Sequence, residues 1–193
     1  METLLKLCNQ ISPLSAELTE YLENKLKRKE VGKRTKLLDE GQTAKYIYFL
    51  EKGLVRGYYH YGNKEFTSWL MKEGDFCLSV QSFFYQEPSE EVIETLADTL
   101  LYYITYDELK SAYSKFPHFN YHRATILENY YAQSEKRHKM RTKPALDRYK
   151  YLMDHHAELI GRVSDKHLAS YLGVTTGTFS VEKRKFARGI AIP

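Results

Sequence analysis

Cysteine is nearly absent from this chain of 193 residues: Cys8 and Cys77 stand alone, far apart. Two thiols are too few for an iron–sulfur cluster or a structural zinc site built mainly from cysteine. A disulfide between them is not expected in a reducing cytoplasm, so both read as buried or bystander thiols. Glycine and proline are scarce, at 10 and 5 residues, and the composition is not that of a disordered chain. No run approaches the roughly 18–20 apolar residues of a membrane span. The first residues, Met-Glu-Thr-Leu-Leu-Lys-Leu-Cys, lack the basic start, apolar run and small-residue cleavage site of a secretion signal, and a cytoplasmic protein is expected. There is no Gly-rich phosphate loop and no His-Glu-x-x-His. His155 and His156 are adjacent, so they do not share a helix face toward one metal. No catalytic residues, metal or cofactor are expected, and the chain does not read as an enzyme.

What is plentiful is aromatic and unevenly charged. There are 17 Tyr and 9 Phe, and the length suffices for a real core. Residues 116–193 hold 14 Lys and Arg against 7 Asp and Glu, while residues 1–115 hold 15 against 18. A basic C-terminal part beside a mildly acidic N-terminal part suits a DNA-binding module attached to a sensor.

Hydropathy patterning divides the chain further. Two short helices are predicted within residues 2–24, broken at Ser12-Pro13, the second capped by Ser15. Over 25–105, short β-prone runs at 36–38, 46–50, 54–59, 66–70, 92–96 and 100–104 alternate with turns such as Glu40-Gly41, Gly62-Asn63 and Glu73-Gly74-Asp75, the pattern of a β-sandwich or roll. Ser79–Gln86 interrupts it as a short helix. Thr105 and Glu108 form a capping box for a helix to about Ser114. From about 118 to 141 no Gly or Pro occurs, and Phe119, Ile126, Leu127, Tyr130, Tyr131 and Met140 supply an apolar stripe. At 1.5 Å per residue that helix runs roughly 35 Å and calls for a partner helix. Thr142 is the expected cap of the next helix, with Pro144 in its first turn.

Residues 163–186 carry the most information. Leu168 and Leu172 lie one turn apart, and Ala169 sits where two helices cross. Gly173 ends the first helix where a left-handed backbone costs least. Val174 packs into the corner, Thr175 caps the second helix, and Phe179 faces the core. This is helix-turn-helix geometry. The candidate DNA-binding residues are Lys166, Thr175, Thr176, Thr178, Ser180, Lys183 and Arg184: hydroxyls for base edges or phosphates, cations for phosphates.

The order of parts resembles the cyclic-AMP receptor/fumarate-nitrate regulator (Crp/Fnr) family over the whole chain. The residues that carry the likeness are Glu40-Gly41-Gln42, Tyr46 to Gly53, Glu73-Gly74-Asp75-Phe76, Gln86-Glu87-Pro88-Ser89 and Ala169-Ser170-Tyr171-Leu172-Gly173-Val174-Thr175. The resemblance implies an α+β chain: an N-terminal cyclic-nucleotide-binding-type double-stranded β-roll sensor (1–115), a long dimerisation helix (116–141) and a C-terminal winged helix-turn-helix (142–193). It also implies a transcription regulator whose partners are double-stranded DNA, a second copy of itself, a small-molecule effector and RNA polymerase, with no membrane. Candidate effector-pocket residues are Arg56, Tyr58 and Trp69 on predicted strands, the turn Gly74, Asp75 and Phe76, and Gln133 and Ser134 on the long helix, about where relatives place ligand-contacting groups.

The chain departs from the family at three places. Cyclic-AMP-binding members carry an Arg that neutralises the cyclic phosphate, but here the segment reads Pro88-Ser89-Glu90-Glu91, and a carboxylate there repels an anion. In the second helix of the DNA-binding motif, Thr176, Gly177 and Val181 stand roughly where relatives carry Glu and Arg, and Glu182 stands where an apolar residue is usual, so bidentate guanine readout by Arg is lost. The segment 159–164 is short for a wing. A second reading is therefore an effector-binding or oligomeric adaptor that no longer reads DNA specifically; Gly177, Val181 and Glu182 favour it, and the basic C-terminal part favours the regulator.

Overall fold

Two short helices, α1 (Glu2–Ile11) and α2 (Ala16–Lys25), open the chain. Ser12-Pro13 separates them, and the Ser15 hydroxyl accepts from the Leu18 amide at 3.2 Å, the cap expected of it. These observations come from a computed structural model that describes residues 1–189.

Eight strands follow: β1 (Lys27–Val31), β2 (Lys36–Leu38), β3 (Tyr46–Lys52), β4 (Leu54–Tyr61), β5 (Lys64–Lys72), β6 (Phe76–Cys77), β7 (Glu91–Thr95) and β8 (Thr99–Thr105), with helix α3 (Val80–Tyr85) between β6 and β7. They form two four-stranded sheets, ordered β1-β8-β3-β6 and β2-β7-β4-β5. Six of the strands match the alternating runs. β1 is charged along most of its length and mostly exposed, and β6 has two residues, so neither carries a period-2 signal. β1 pairs only with β8, and its row of Lys and Arg suits an edge, where charge discourages pairing with another chain.

Then come α4 (Tyr106–Lys115), α5 (Phe119–Arg141), α6 (Ala145–His156), a 3-10 turn at Ala157–Leu159, α7 (Asp165–Leu172) and α8 (Thr176–Ala187). The capping box is present: the Glu108 amide donates to Thr105 Oγ1, and the Thr105 amide donates to Glu108 Oε2. Thr142 does not cap α6. Its hydroxyl donates back to the Lys139 carbonyl at 2.8 Å, and Pro144 takes the N-cap position. The reason is steric: a residue before proline is pushed out of helical geometry, so Lys143 cannot start the helix.

Two compact units result. The first comprises Met1–Tyr59 and Trp69–Glu128; the second comprises His60–Ser68 and the chain from Asn129. The division differs from the three expected segments, since α5 is shared between the units and the β4–β5 hairpin tip groups with the second.

In the first unit the fully buried Leu50, Val55, Phe83 and Leu101 lie between the sheets with Ile93 and Trp69. Strand register fixes which side chains point inward. Gly57 pairs with Ile93 and Val55 with Thr95, while Arg56 pairs with Glu94 and Tyr58 with Val92 on the opposite face. The Trp69 ring occupies the space in which Gly57 has no side chain; a Cβ there would lie 2.1 Å from the indole. At the edge of this unit, α1 is tied to α5 by His122, whose Nε2 lies 3.1 Å from the Cys8 carbonyl and 2.9 Å from the Ser12 carbonyl. Both thiols are buried; burial pushes Cys8 up to about 11 and raises Cys77 as well, so neither is a reactive thiolate at neutral pH.

In the second unit α6, α7 and α8 bury Tyr149, Leu152, Leu168, Leu172 and Phe179, the last three being apolar positions read from spacing. No described helix is long and apolar enough to cross a membrane.

The Gly57–Trp69 contact sets a test. Gly57→Ala forces the sole tryptophan from its place and should cost about 1–3 kcal/mol, as overpacking does. Urea unfolding followed by Trp69 fluorescence reads this directly; an unchanged midpoint would mean that the indole does not fill this space.

Candidate nucleic-acid interface and sensor region

The helix-turn-helix is built from local signals. Ser164 caps α7, accepting from the His167 amide. Leu168, Ala169, Tyr171 and Leu172 are buried along its inner face. Gly173 adopts φ +69°, a left-handed conformation that disfavours any side chain, and its amide donates to Ser170 O at 3.0 Å. The Val174 amide then reaches Ala169 O at 2.9 Å, closing the turn. Arg148 of α6 holds this corner from outside: its Nη1 donates to Leu172 O at 3.1 Å and Gly173 O at 2.9 Å, and its Nε to Lys143 O. Thr175 Oγ1 caps α8 by accepting from the Thr178 amide at 3.1 Å. Phe179 is buried and packs edge-on against Tyr149.

The candidate DNA-binding residues differ in freedom. Lys166, Thr175, Thr176 and Arg184 are exposed, while Thr178, Ser180 and Lys183 are half-buried. The Thr175 and Thr178 hydroxyls share a bond at 2.9 Å, and the Ser180 hydroxyl donates to Thr176 O at 3.0 Å. Lys183 Nζ lies 3.1 Å from both carboxylate oxygens of Asp165. An ion pair this exposed is worth roughly 0.2–1 kcal/mol, so a phosphate can displace it.

Sequence reasoning missed two residues here. Arg148 and Asp165 act across helices, which no local pattern reveals. Glu182 lies on the inner face of α8, three residues from Phe179, and is buried; one oxygen meets Lys185 Nζ at 3.0 Å and the other has no partner. The sequence singled it out as an acid where relatives carry an apolar residue, and it is buried as that position implies. Between α6 and α7 the wing is reduced to one bridge, Ile160 to Val163.

The hairpin tip meets α7 within the same unit. The Thr67 amide donates to Ser170 Oγ at 2.8 Å, and Ser170 Oγ donates to Glu65 O at 3.1 Å. Arg141 at the end of α5 donates to Thr67 O and Tyr171 O.

The predicted effector residues fall in both units, six in the first and two in the second. Arg56 and Tyr58 do come together, with the guanidinium 3.9 Å from the ring centre, and Arg56 pairs with Glu94 at 2.7 Å. Trp69 lies on the opposite face of that sheet, its Nε1 donating to the buried Glu91 carboxylate at 3.0 Å. Gly74, at φ +88°, turns the chain between β5 and β6, and its amide donates to Leu50 O. Asp75 accepts from the Lys72 amide, and Phe76 packs edge-on against Phe49. Gln133 and Ser134 are exposed on α5, in the second unit. In the segment where relatives place the anion anchor, Ser89 Oγ is buried, donates to Glu91 O and lies 3.0 Å from Ser79 Oγ. No Lys or Arg occurs from Gln86 to Glu94. A cavity of about 520 Å³ does open beside β2, β3 and β7, lined by Leu38, Thr43, Tyr46, Tyr48 and Ile93 among others, none of them a predicted effector residue. The described residues contain no cluster of metal-ligating side chains.

Residues 28–116 match the cyclic nucleotide-binding domain family. No curated protein sequence matches the chain. Among solved structures it is similar to FixK2 from Bradyrhizobium japonicum, at 18% identity and TM-score 0.73, covering 86% of each chain. It is similar to the c-di-GMP responsive global regulator CLP of Xanthomonas campestris, at 17% identity and TM-score 0.71, covering 91% of this chain and 93% of that one. It also resembles a Crp/Fnr-family protein from Eubacterium rectale, at 16% identity and TM-score 0.70, covering 91% and 85%. The two-sheet roll, the long α5 and the three-helix C-terminal unit thus give the chain the fold of the Crp/Fnr regulators, with a cyclic nucleotide-binding-type domain over residues 28–116.

Proposed function

We propose that this chain is a cytoplasmic, homodimeric DNA-binding transcription regulator of the Crp/Fnr type, answering to an effector other than cyclic AMP. In this reading residues 1–115 sense, 116–141 dimerise and 142–193 bind DNA. The observation that carries it is the helix-turn-helix itself: a glycine-closed corner, clamped by Arg148, that presents an outer face of hydroxyls and cations on α7 and α8. Leu127 and Tyr131, four residues apart on α5, are exposed and offer a seam for a second copy. Two seams joined would set paired α8 helices for successive major grooves. Transcriptional control through RNA polymerase is the corresponding output.

The effector is not cyclic AMP in this reading because Ser89 and the buried Glu91 stand where the cyclic phosphate needs a cation. An unneutralised anion beside a carboxylate in a low-dielectric pocket is repelled. Titration calorimetry with cyclic AMP at millimolar concentration should show no saturable heat; a micromolar dissociation constant would contradict this.

The adaptor reading keeps one support. Ser180 is bonded to its own helix and Lys183 to Asp165, so both must let go before they touch DNA. The two readings part in a salt series. Lys183→Ala should weaken binding to all sequences alike and lower the salt slope by about one, the loss of one phosphate contact. Ser180→Ala should cost about 1–3 kcal/mol at one base position and spare scrambled sites. If the slope and the discrimination both stay unchanged, α8 does not read DNA and the adaptor reading stands.

A further inference from the structure

Outside the sheets, the first unit has a second cavity of about 520 Å³. Its walls come from three helices: Phe84 of α3, Tyr106, Lys110 and Tyr113 of α4, and Arg123 and Leu127 of α5 are among the residues that line it. It shares no residue with the helix-turn-helix or with the predicted effector set.

The composition of this cavity is one-sided. Its floor is aromatic and aliphatic, and no Asp or Glu lines it. Arg123 lies 5.7 Å from the Phe84 ring centre and 5.3 Å from that of Tyr113, and Lys110 lies 5.6 Å from Tyr106. Neither cation has a carboxylate partner among the described residues. Burial pushes the Tyr113 hydroxyl up to about 12, so the phenol is neutral and the two cations are the lining charges. A concave apolar surface of this size with a few converging polar groups is the usual form of a small-molecule site. Cations held over aromatic faces at its walls complement an anion whose body is apolar.

We infer that this α3–α4–α5 cavity binds an amphipathic organic carboxylate, with its medium-chain or aromatic body on Phe84 and Tyr106 and its carboxylate between Lys110 and Arg123. As a statement about the regulator's effector class this rests on the function proposed above; the binding itself does not, and the experiment reads binding alone.

The probes are octanoate and its uncharged counterpart 1-octanol, titrated calorimetrically into the full chain. Octanoate should bind about tenfold more tightly than 1-octanol, the margin a charge-assisted contact supplies. Lys110→Gln/Arg123→Gln should remove that margin and leave 1-octanol binding unchanged. Both side chains are exposed, so the variant should fold, which Trp69 fluorescence checks. Val80→Trp, at the cavity rim, should weaken both probes alike. Equal affinity of the two probes for the unaltered chain, or a margin that survives the double substitution, would overturn the assignment. So would dissociation of a dimer by octanoate in sedimentation, which would make the cavity the seat of a second copy.

Discussion

The packing of Trp69 into the side-chain-free space at Gly57 sets what the roll can do. That contact draws the indole across the inner face of the β4–β7 pair and brings its N–H to the buried carboxylate of Glu91. Ser89 and Ser79 extend the same polar cluster. A buried carboxylate is tolerated only when hydrogen-bonded; the Trp69 N–H supplies such a bond, while Ser89 bonds the Glu91 backbone. The roll architecture is retained, and in the proposed reading this internal carboxylate stands where a cyclic phosphate would need a cation.

The helix-turn-helix depends on a different constraint, the left-handed backbone at Gly173. Arg148 adds a second lock by taking the two carbonyls that the turn leaves open, a role for a guanidinium with several donors in a fixed plane. With the corner fixed from inside by Leu172 and from outside by Arg148, the course of α8 is determined before any ligand arrives. What remains adjustable is the surface: exposed ion pairs and helix-bound hydroxyls that exchange partners at small cost.

Much of this was legible in the sequence, for identifiable reasons. The helix-turn-helix, the Ser15 cap and the Thr105–Glu108 box are written within a few residues of chain, where spacing alone decides contact. Six strands showed because alternation exposes one face. β1 hid because Lys27, Arg28, Lys29 and Glu30 carry no apolar period, and it is a strand only because β8 offers an edge. The candidate pocket was less legible. Arg56 and Tyr58 share a face as alternation requires, yet Trp69 sits on the other, and which face meets the core is set by register with β7 rather than by composition. Asp165 with Lys183 and Glu91 with Trp69 are pairings made by topology, 18 and 22 residues apart. Thr142 lost its expected role to a steric rule two residues downstream.

In the proposed reading a pair of these chains reads DNA through α8. Selection of bound duplexes from a random-sequence pool by the full chain, at fixed near-physiological salt, tests it most directly. Enrichment of an inverted repeat whose half-sites lie about one helical turn apart, roughly 34 Å centre to centre, is expected. A pool that shows no enrichment, or enriches a motif without two-fold symmetry, would contradict it.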